Sequence, residues 1–424
     1  MTLVTDIGAL DLARFLRRGD RIVAGEACGE PVSLIEALIG QGADIGGLSL
    51  FTATSFSNLF GPQSAGSFRL RSMGAVGALR TASAAGALDI VPCHFSAIGP
   101  MIEAGTIGCD VAMVQVSPAD ADGNHSFGLV SDHVCEAVAR ARVVIAEVND
   151  QVPFTLGSST LPASRITCAV HTSRRPIEVP SVRIGEIEAR IGRHAADFIG
   201  DGATLQIGIG AIPDAVLAAL GDRRDLGLHT GLISDSVADL ITAGVITNAR
   251  KPIDTGRSIV CALIGTSRLF RLAHRNPEIF MASARYTHGV DTLSRLPGMV
   301  AVNSALEVDL TGQVNAEQNG SSYVGGTGGQ VDFIRGAAAS PGGRSIIALP
   351  ATARNGTISR IVVQLSGPVT TTRSDVDVVV TEFGAVQLKG LSLPERAQAL
   401  AAIADPRFRE DLDRAAHTLR LRGF

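Results

Sequence analysis

The chain has 424 residues, of which 46% are hydrophobic, 18% charged and 4% aromatic, and its net charge is −4. With no basic cluster and few rings it lacks both the cationic surface and the stacking platform of a nucleic-acid binder. No apolar run approaches the ~18 residues of a membrane-spanning helix, the N-terminal stretch mixes Asp and Arg into its apolar residues unlike a signal peptide, and the six cysteines form no C-x-x-C pair and no ligand cluster of metal-binding spacing appears, so a cytoplasmic protein with free thiols and no metal or redox cofactor is expected.

The first half repeats a strand-then-helix rhythm. RIVAGEACGEP (21–31) predicts a strand running into a loop, VSLIEALIGQG (32–42) a helix, IGGLSLFTA (45–53) a strand, and DIVPCHFSAIGPMIEAG (89–105) a strand, loop and helix. CDVAMVQVSPADADGNHSFG (109–128) reads as an apolar strand ending in a loop with Ser117, Asp120 and Asp122, and ARVVIAEVND (141–150) as another buried strand. Continuous apolar strands alternating with helices predict a mostly parallel sheet covered on both faces.

In TSRRPIEVPSVRIG (172–185) prolines and charges recur without helical period. A domain boundary there gives two domains, 1–180 and 181–424, as suits a chain of this length. The second domain repeats the rhythm: a helix over 184–199, the strand TLQIGIG (204–210), the helix IPDAVLAAL (212–220), the strand DLGLHT (225–230) and the helix SDSVADLITAG (234–244). Further strands are expected within 258–265, 299–318, 345–353 and 375–384. The tail 391–420 reads as helical, with Pro394 at a helix start and Pro406 ending or kinking it.

Two glycine-rich turns stand out. In QIGIGAIPDAV (206–216), Gly208, Ile209, Gly210, Ala211 and Ile212 join an apolar strand to a helix; such a turn either holds an anion on backbone N–H groups or is a tight packing turn. The third glycine of a dinucleotide fingerprint is missing. In YVGGTGGQVDFIRG (323–336), Gly325, Gly326, Gly328 and Gly329 surround Thr327. That much glycine costs chain entropy and is tolerated mainly where the backbone presses against a ligand or another chain.

DGATLQIGIGAIPDAV, QVNAEQ, GGTGGQVDFIRGA, SIIALPATARNGTISRIV and VTTTRSDVDVVVTEFGAVQLKGLSLPERAQALAAIADPRFRE resemble the acetyl-CoA hydrolase/transferase family, particularly its 4-hydroxybutyrate CoA-transferase branch. GEPVSLIEAL, PCHFSAIGPMI, CDVAMVQVSPADADGNHSFG and VVIAEVNDQVPFTLG resemble it in the same order, so the likeness spans nearly the whole chain. The resemblance implies an α/β protein of two CoA-transferase-type open-sheet domains with the active site between them. It also implies coenzyme A or acyl-CoA as ligand, a small carboxylate as second substrate, and a homo-oligomer, dimer or tetramer.

The resemblance further implies a nucleophilic glutamate directly after the His-Thr of HTGLISD (229–235), where this chain has Gly231, and no glutamate occurs between Arg190 and Pro277. Glycine cannot be a nucleophile. Three readings stay open: a CoA-transferase whose nucleophile has moved to Asp235, a residue whose position suits capping a helix better than nucleophilic work; a thioester or C–C hydrolase or lyase in which water or an enolate replaces the enzyme carboxylate; or a non-catalytic CoA-binding subunit. The second draws on His229 as a proton-transfer group or a structural histidine, on Glu317 and Asn315 beside the glycine loop, and on Gln115 and Ser117 at a strand end. His94 and Glu26 also follow strand-like segments. The glycine at 231 would leave more room beside the acyl group.

Overall fold

The computed structural model describes residues 2–421. Its first half is an eight-stranded parallel sheet. In chain order the strands are β1 (Thr2–Val4), β2 (Arg21–Ala24), β3 (Ser49–Phe51), β4 (Arg69–Ser72), β5 (Asp89–Ile90), β6 (Val111–Val116), β7 (Val143–Asn149) and β8 (Cys168–Thr172), and they lie in the order β1-β8-β7-β6-β2-β3-β4-β5. The central β6 and β7 are buried throughout, which is why they read as nearly unbroken apolar runs rather than alternating ones. Helices α1 (Val32–Ile45) and α2 (Val134–Arg140) cover the sheet. The α1 helix stops at Gly46, whose φ of +81° glycine alone adopts cheaply.

Residues 173–185 carry no helix or strand. Beyond them α3 (Glu186–Ala196) leads into a six-stranded sheet of β9 (Thr204–Ile207), β10 (Gly227–Leu228), β11 (Met299–Ser304), β12 (Arg344–Ala348), β13 (Val378–Thr381) and β14 (Gly384–Gln387). Its order is β10-β9-β11-β12-β13-β14, parallel except for the closing β13–β14 hairpin. Helices α4 (Ala211–Ala218), α5 (Asp235–Thr242) and α6 (Gln330–Ala339) connect these strands. The tail holds α7 (Leu393–Ala402) and α8 (Pro406–Leu421). Pro394 sits in the first turn of α7, where Ser392 and Glu395 form a capping box. Pro406 opens α8 instead of ending or kinking a single helix, because Pro lacks only an N–H that has no partner in a first turn.

Both sheets reverse direction in the same manner. From β2 the chain proceeds outward to β3, then returns to β6 on the other flank of β2; from β9 it proceeds to β10, then returns to β11 on the other flank of β9. Ligands of open α/β sheets gather at such switch points, beyond the carboxyl ends of the strands. Here those ends carry Glu26 after β2, Gly208 after β9 and Asn303 in β11.

The halves share a core. One apolar cluster runs from Ala27, Cys28, Leu129 and Val130 to Leu228, Val260, Ala262 and Leu263. Leu156–Gly157 of the first half also joins Ile279–Met281 and Ser258–Val260 in a three-stranded parallel sheet. Among the described residues, no helix is long and apolar enough to cross a membrane.

Candidate active site

A cavity of about 230 Å³ opens where the two switch points meet. The first half contributes Glu26, Thr54, Met73, Val76 and Phe95; the second contributes Gln206, Gly208, Asn303, the segment 230–232, Cys261, His288 and the end of the glycine loop. Gln206 Oε1 accepts from Asn303 Nδ2 at 3.1 Å, so the two amides fix one another on neighbouring strands.

Gly231 lies on the cavity wall. A Cβ there would stand 2.9 Å from both Cε1 and Nε2 of His288 and 3.7 Å from Phe333 Cε2. The His288 ring is held between Phe95 and Phe333, with centroids 4.9 and 4.4 Å away, and its Nδ1 is 2.7 Å from Thr287 Oγ1. The Nε2 edge therefore turns to Gly231 and Gly329; a Cβ on Gly329 would meet that nitrogen at 2.6 Å. An imidazole thus occupies the space into which a longer side chain at 231 would grow. Burial, with His229 adding to it, pushes the His288 pKa down to about 3, so the ring is neutral near pH 7.

His229 does not reach the cavity. It is fully buried, its Nε2 donates to Tyr286 O at 3.4 Å, and burial, then Lys251, lower its pKa to about 4. Stability consequently depends on pH in a definite sense. Unfolded imidazoles bind protons below about pH 6.5, whereas these two resist protonation until about 3 and about 4. Their contribution is present above pH 6.5 and is lost as pH falls. In urea denaturation, the wild type should lose about 2 kcal/mol more than His288→Gln between pH 6.5 and 5. Equal losses would mean that His288 takes up its proton in the folded state.

Asp235, Gln115, Asn315, Glu317 and Ser117 serve as braces outside the cavity lining. The Asp235 carboxylate accepts from Thr266 N and Oγ1 at 3.0 and 3.1 Å, which pins the 265–266 turn to the start of α5 and keeps it out of the cavity lining. Gln115 Nε2 donates to Cys28 O at 3.3 Å and its Oε1 accepts from Asn149, so it supports the loop after β2. Asn315 donates to Glu307 and to Gln318 O, and its Oδ1 accepts from Glu317 N and Gln318 N. Glu317 accepts from Tyr323 Oη at 2.8 Å, and its carbonyl accepts from Val324 N and Gly325 N, which anchors the glycine loop. Ser117 Oγ donates to Pro118 O. Each of these groups satisfies a loop that has few backbone partners of its own.

The glycine loop presses against the other half of the chain. Ala75 N donates to Gly325 O at 2.7 Å and Phe95 N to Gly328 O at 2.9 Å. A Cβ on Gly74 would lie 2.5 Å from Gly325 O and 2.6 Å from Gly326 Cα. Gly328 and Gly329, following Thr327, reach the cavity. The second turn, Gly208–Ile212, opens at Gly208 on the cavity; Gly210 precedes α4 at φ +116°, and α4 then begins at Ala211.

The carboxyl that does face the cavity is Glu26, 3% exposed. Burial, then neighbouring Asp132, holds its pKa well above the usual carboxylate range. No metal-binding set is legible as a spacing motif, yet the fold brings Glu26, Asp132 and His133 together, with ligand atoms within 4.8 Å of one another.

Residues 7–167 match the acetyl-CoA hydrolase/transferase N-terminal domain and residues 265–416 the C-terminal domain of the same family. The chain is 41% identical over 396 residues to a 4-hydroxybutyrate coenzyme A transferase of Clostridium kluyveri, covering 92% of each. It belongs to the acetyl-CoA hydrolase/transferase family. A succinyl-CoA:cyclohexane-1-carboxylate CoA transferase of Geobacter metallireducens is 34% identical over 97% of this chain and 94% of that one. Among solved structures of similar proteins, RipA from Yersinia pestis superposes with a TM-score of 0.93 at 35% identity, covering 99% of this chain and 98% of that one. A 4-hydroxybutyrate CoA-transferase from Porphyromonas gingivalis gives 0.83 at 34% identity, with coverage of 99% and 98%. The chain is therefore an enzyme of this family, on the family's α/β fold.

Proposed function

We propose that the chain binds an acyl-CoA at the cavity between its halves and opens the thioester there by CoA transfer to a carboxylate, without a covalent intermediate on residue 231. The supporting observation is Gly231 itself: it has no side chain, and His288 fills the space beside it. The acceptor carboxylate then attacks the thioester carbonyl directly. A C–O bond forms, the C–S bond breaks, and a mixed anhydride and CoA thiolate result. The thiolate attacks the acceptor's carbonyl carbon, and the original acyl group departs as a carboxylate. The neutral His288 edge supports either step, as a donor to the developing oxyanion or as an acceptor, according to its tautomer. With water as the attacking group the same geometry gives hydrolysis, a reading favoured by the absence of a side chain at 231.

In this reading Gly208, Ile209, Gly210, Ala211 and Ile212 hold the anionic part of CoA through the start of α4, and Gly325 to Gly329 shape the acyl end. His229, Asp235, Glu317, Asn315 and Gln115 act by holding these segments in place. The enzyme works as a cytoplasmic homo-oligomer with domains 1–180 and 181–424. The test is thioester consumption with a panel of short acyl-CoAs, with and without added carboxylates. Loss that requires a carboxylate is transfer, and loss without one is hydrolysis. No loss with any acyl-CoA, together with no heat of CoA binding, would contradict both.

A further inference from the structure

We propose that Glu26, Asp132 and His133 form a binding site for a divalent transition-metal ion at the wall of the cavity. The residues come from two distant segments, the end of β2 and the start of α2, yet their ligand atoms lie within 4.8 Å of one another. All are at least nine-tenths buried: Glu26 is 3% exposed, Asp132 and His133 not at all. Glu26 Oε2, Asp132 Oδ2 and both His133 ring nitrogens have no hydrogen-bond partner. Buried polar groups of folded proteins are as a rule paired, and four unpartnered atoms converging from three side chains call for an ion, a water or a proton to complete them.

The local structure directs these atoms. Asp132 Oδ1 accepts from the backbone N–H groups of His133 and Val134 at the start of α2, which leaves Oδ2 as the free oxygen. His133 Nδ1 is 3.1 Å from Asp132 Oδ1, and the ring packs edge-on against Phe51 and Phe95, centroids 6.1 and 6.4 Å away. Charge points the same way. Among the described residues no Arg or Lys forms an ion pair with Glu26 or Asp132, so a dication that displaces the proton of Glu26 would be balanced by the two carboxylates. Two oxygens and one imidazole nitrogen suit Zn²⁺, Fe²⁺ or Mn²⁺ better than Ca²⁺ or Mg²⁺.

Glu26 lines the cavity, so open coordination positions would face it. An ion held there would supply Lewis-acid polarisation of a carbonyl or a bound water. This extends the reading of the cavity as a thioester site, but binding is tested without any acyl-CoA, so either can fail alone.

The experiment uses full-length protein stripped with a chelator and titrated with Co²⁺ and Zn²⁺. The expected result is one Co²⁺ per chain with a visible ligand-field spectrum, displaced by Zn²⁺, and a rise in Tm on metal addition. Affinity should fall at least tenfold in Glu26→Gln and in His133→Gln, with folding checked by circular dichroism. Should a variant not fold, ¹⁵N-histidine spectra of the wild type read the same point, as a Zn²⁺-induced shift at the His133 nitrogens. No stoichiometric binding, binding unchanged in folded variants, or a shift only at other histidines would overturn the proposal.

Discussion

Gly231→Glu is expected to destabilise the enzyme and fail to install a nucleophile, whereas the same substitution combined with His288→Ala is expected to fold better and to form a covalent adduct. The backbone is not the obstacle, because Gly231 is not among the positive-φ glycines. The obstacle is His288, 2.9 Å from the Cβ position and unable to swing away between Phe95 and Phe333. Overpacking of this kind costs about 1–3 kcal/mol, so Tm should fall by several degrees. Removing the imidazole opens the space that the introduced carboxylate side chain needs, and the two substitutions should be strongly non-additive, as expected for residues in contact. Mass spectrometry after acyl-CoA and borohydride should then find label at position 231 in the double variant only. A Gly231→Glu single variant as stable as wild type would contradict the assignment of that space to His288.

Gly74→Ala is the second substitution with a large expected effect. The new methyl would meet backbone, Gly325 O at 2.5 Å and Gly326 Cα at 2.6 Å, and backbone cannot rotate aside as a side-chain tip can. The glycine loop must lift from the first half, breaking the Ala75 N to Gly325 O bond and displacing the cavity wall at Gly328 and Gly329. A displacement near 1 Å at a site that positions reactants costs on the order of 100-fold in rate. Thioester turnover should therefore fall by about that factor, along with a lower Tm. Gly66→Ala is the control, since nothing lies within 4 Å of its Cβ position. Equal behaviour of the two variants would show that the close approach of loop and first half has no role.

Much of the architecture was legible in the sequence because burial on both faces leaves strands such as Val111–Val116 and Val143–Asn149 largely apolar, interrupted inside each run by one polar residue, Gln115 and Glu147. The glycine loop was legible as a place of close approach, though not what it approaches, since Gly74 and Ala75 lie in another sheet's connections. The site residues were harder to find. Asn315, Glu317, Gln115 and Asp235 stand beside recognisable motifs, but in the fold the side chains of Asn315, Gln115 and Asp235 satisfy loop backbone and that of Glu317 accepts from the Tyr323 hydroxyl, outside the cavity lining. His288 had no signal: it sits in RYTHGVDT, without period or motif, and matters only because Phe95 and Phe333 arrive from other segments. Glu26 was visible only as a carboxylate after a strand. Its companions at 132–133 are brought to it by the adjacency of β2 and β6, which no local pattern encodes.

Direct attack on the thioester, with no CoA ever carried on an enzyme carboxylate, is decided by exchange in half-reactions. Wild-type enzyme is incubated with an acyl-CoA and its own isotopically labelled free acid, with no other carboxylate present and with CoA removed enzymatically as it forms. Exchange through a covalent enzyme–CoA thioester releases no free CoA and so survives that removal; exchange through a mixed anhydride passes through free or loosely held thiolate and is suppressed. Suppression is expected, with no CoA left on any glutamate or aspartate after borohydride. Persistent exchange together with a CoA-labelled carboxylate, Glu26 included, would contradict direct attack.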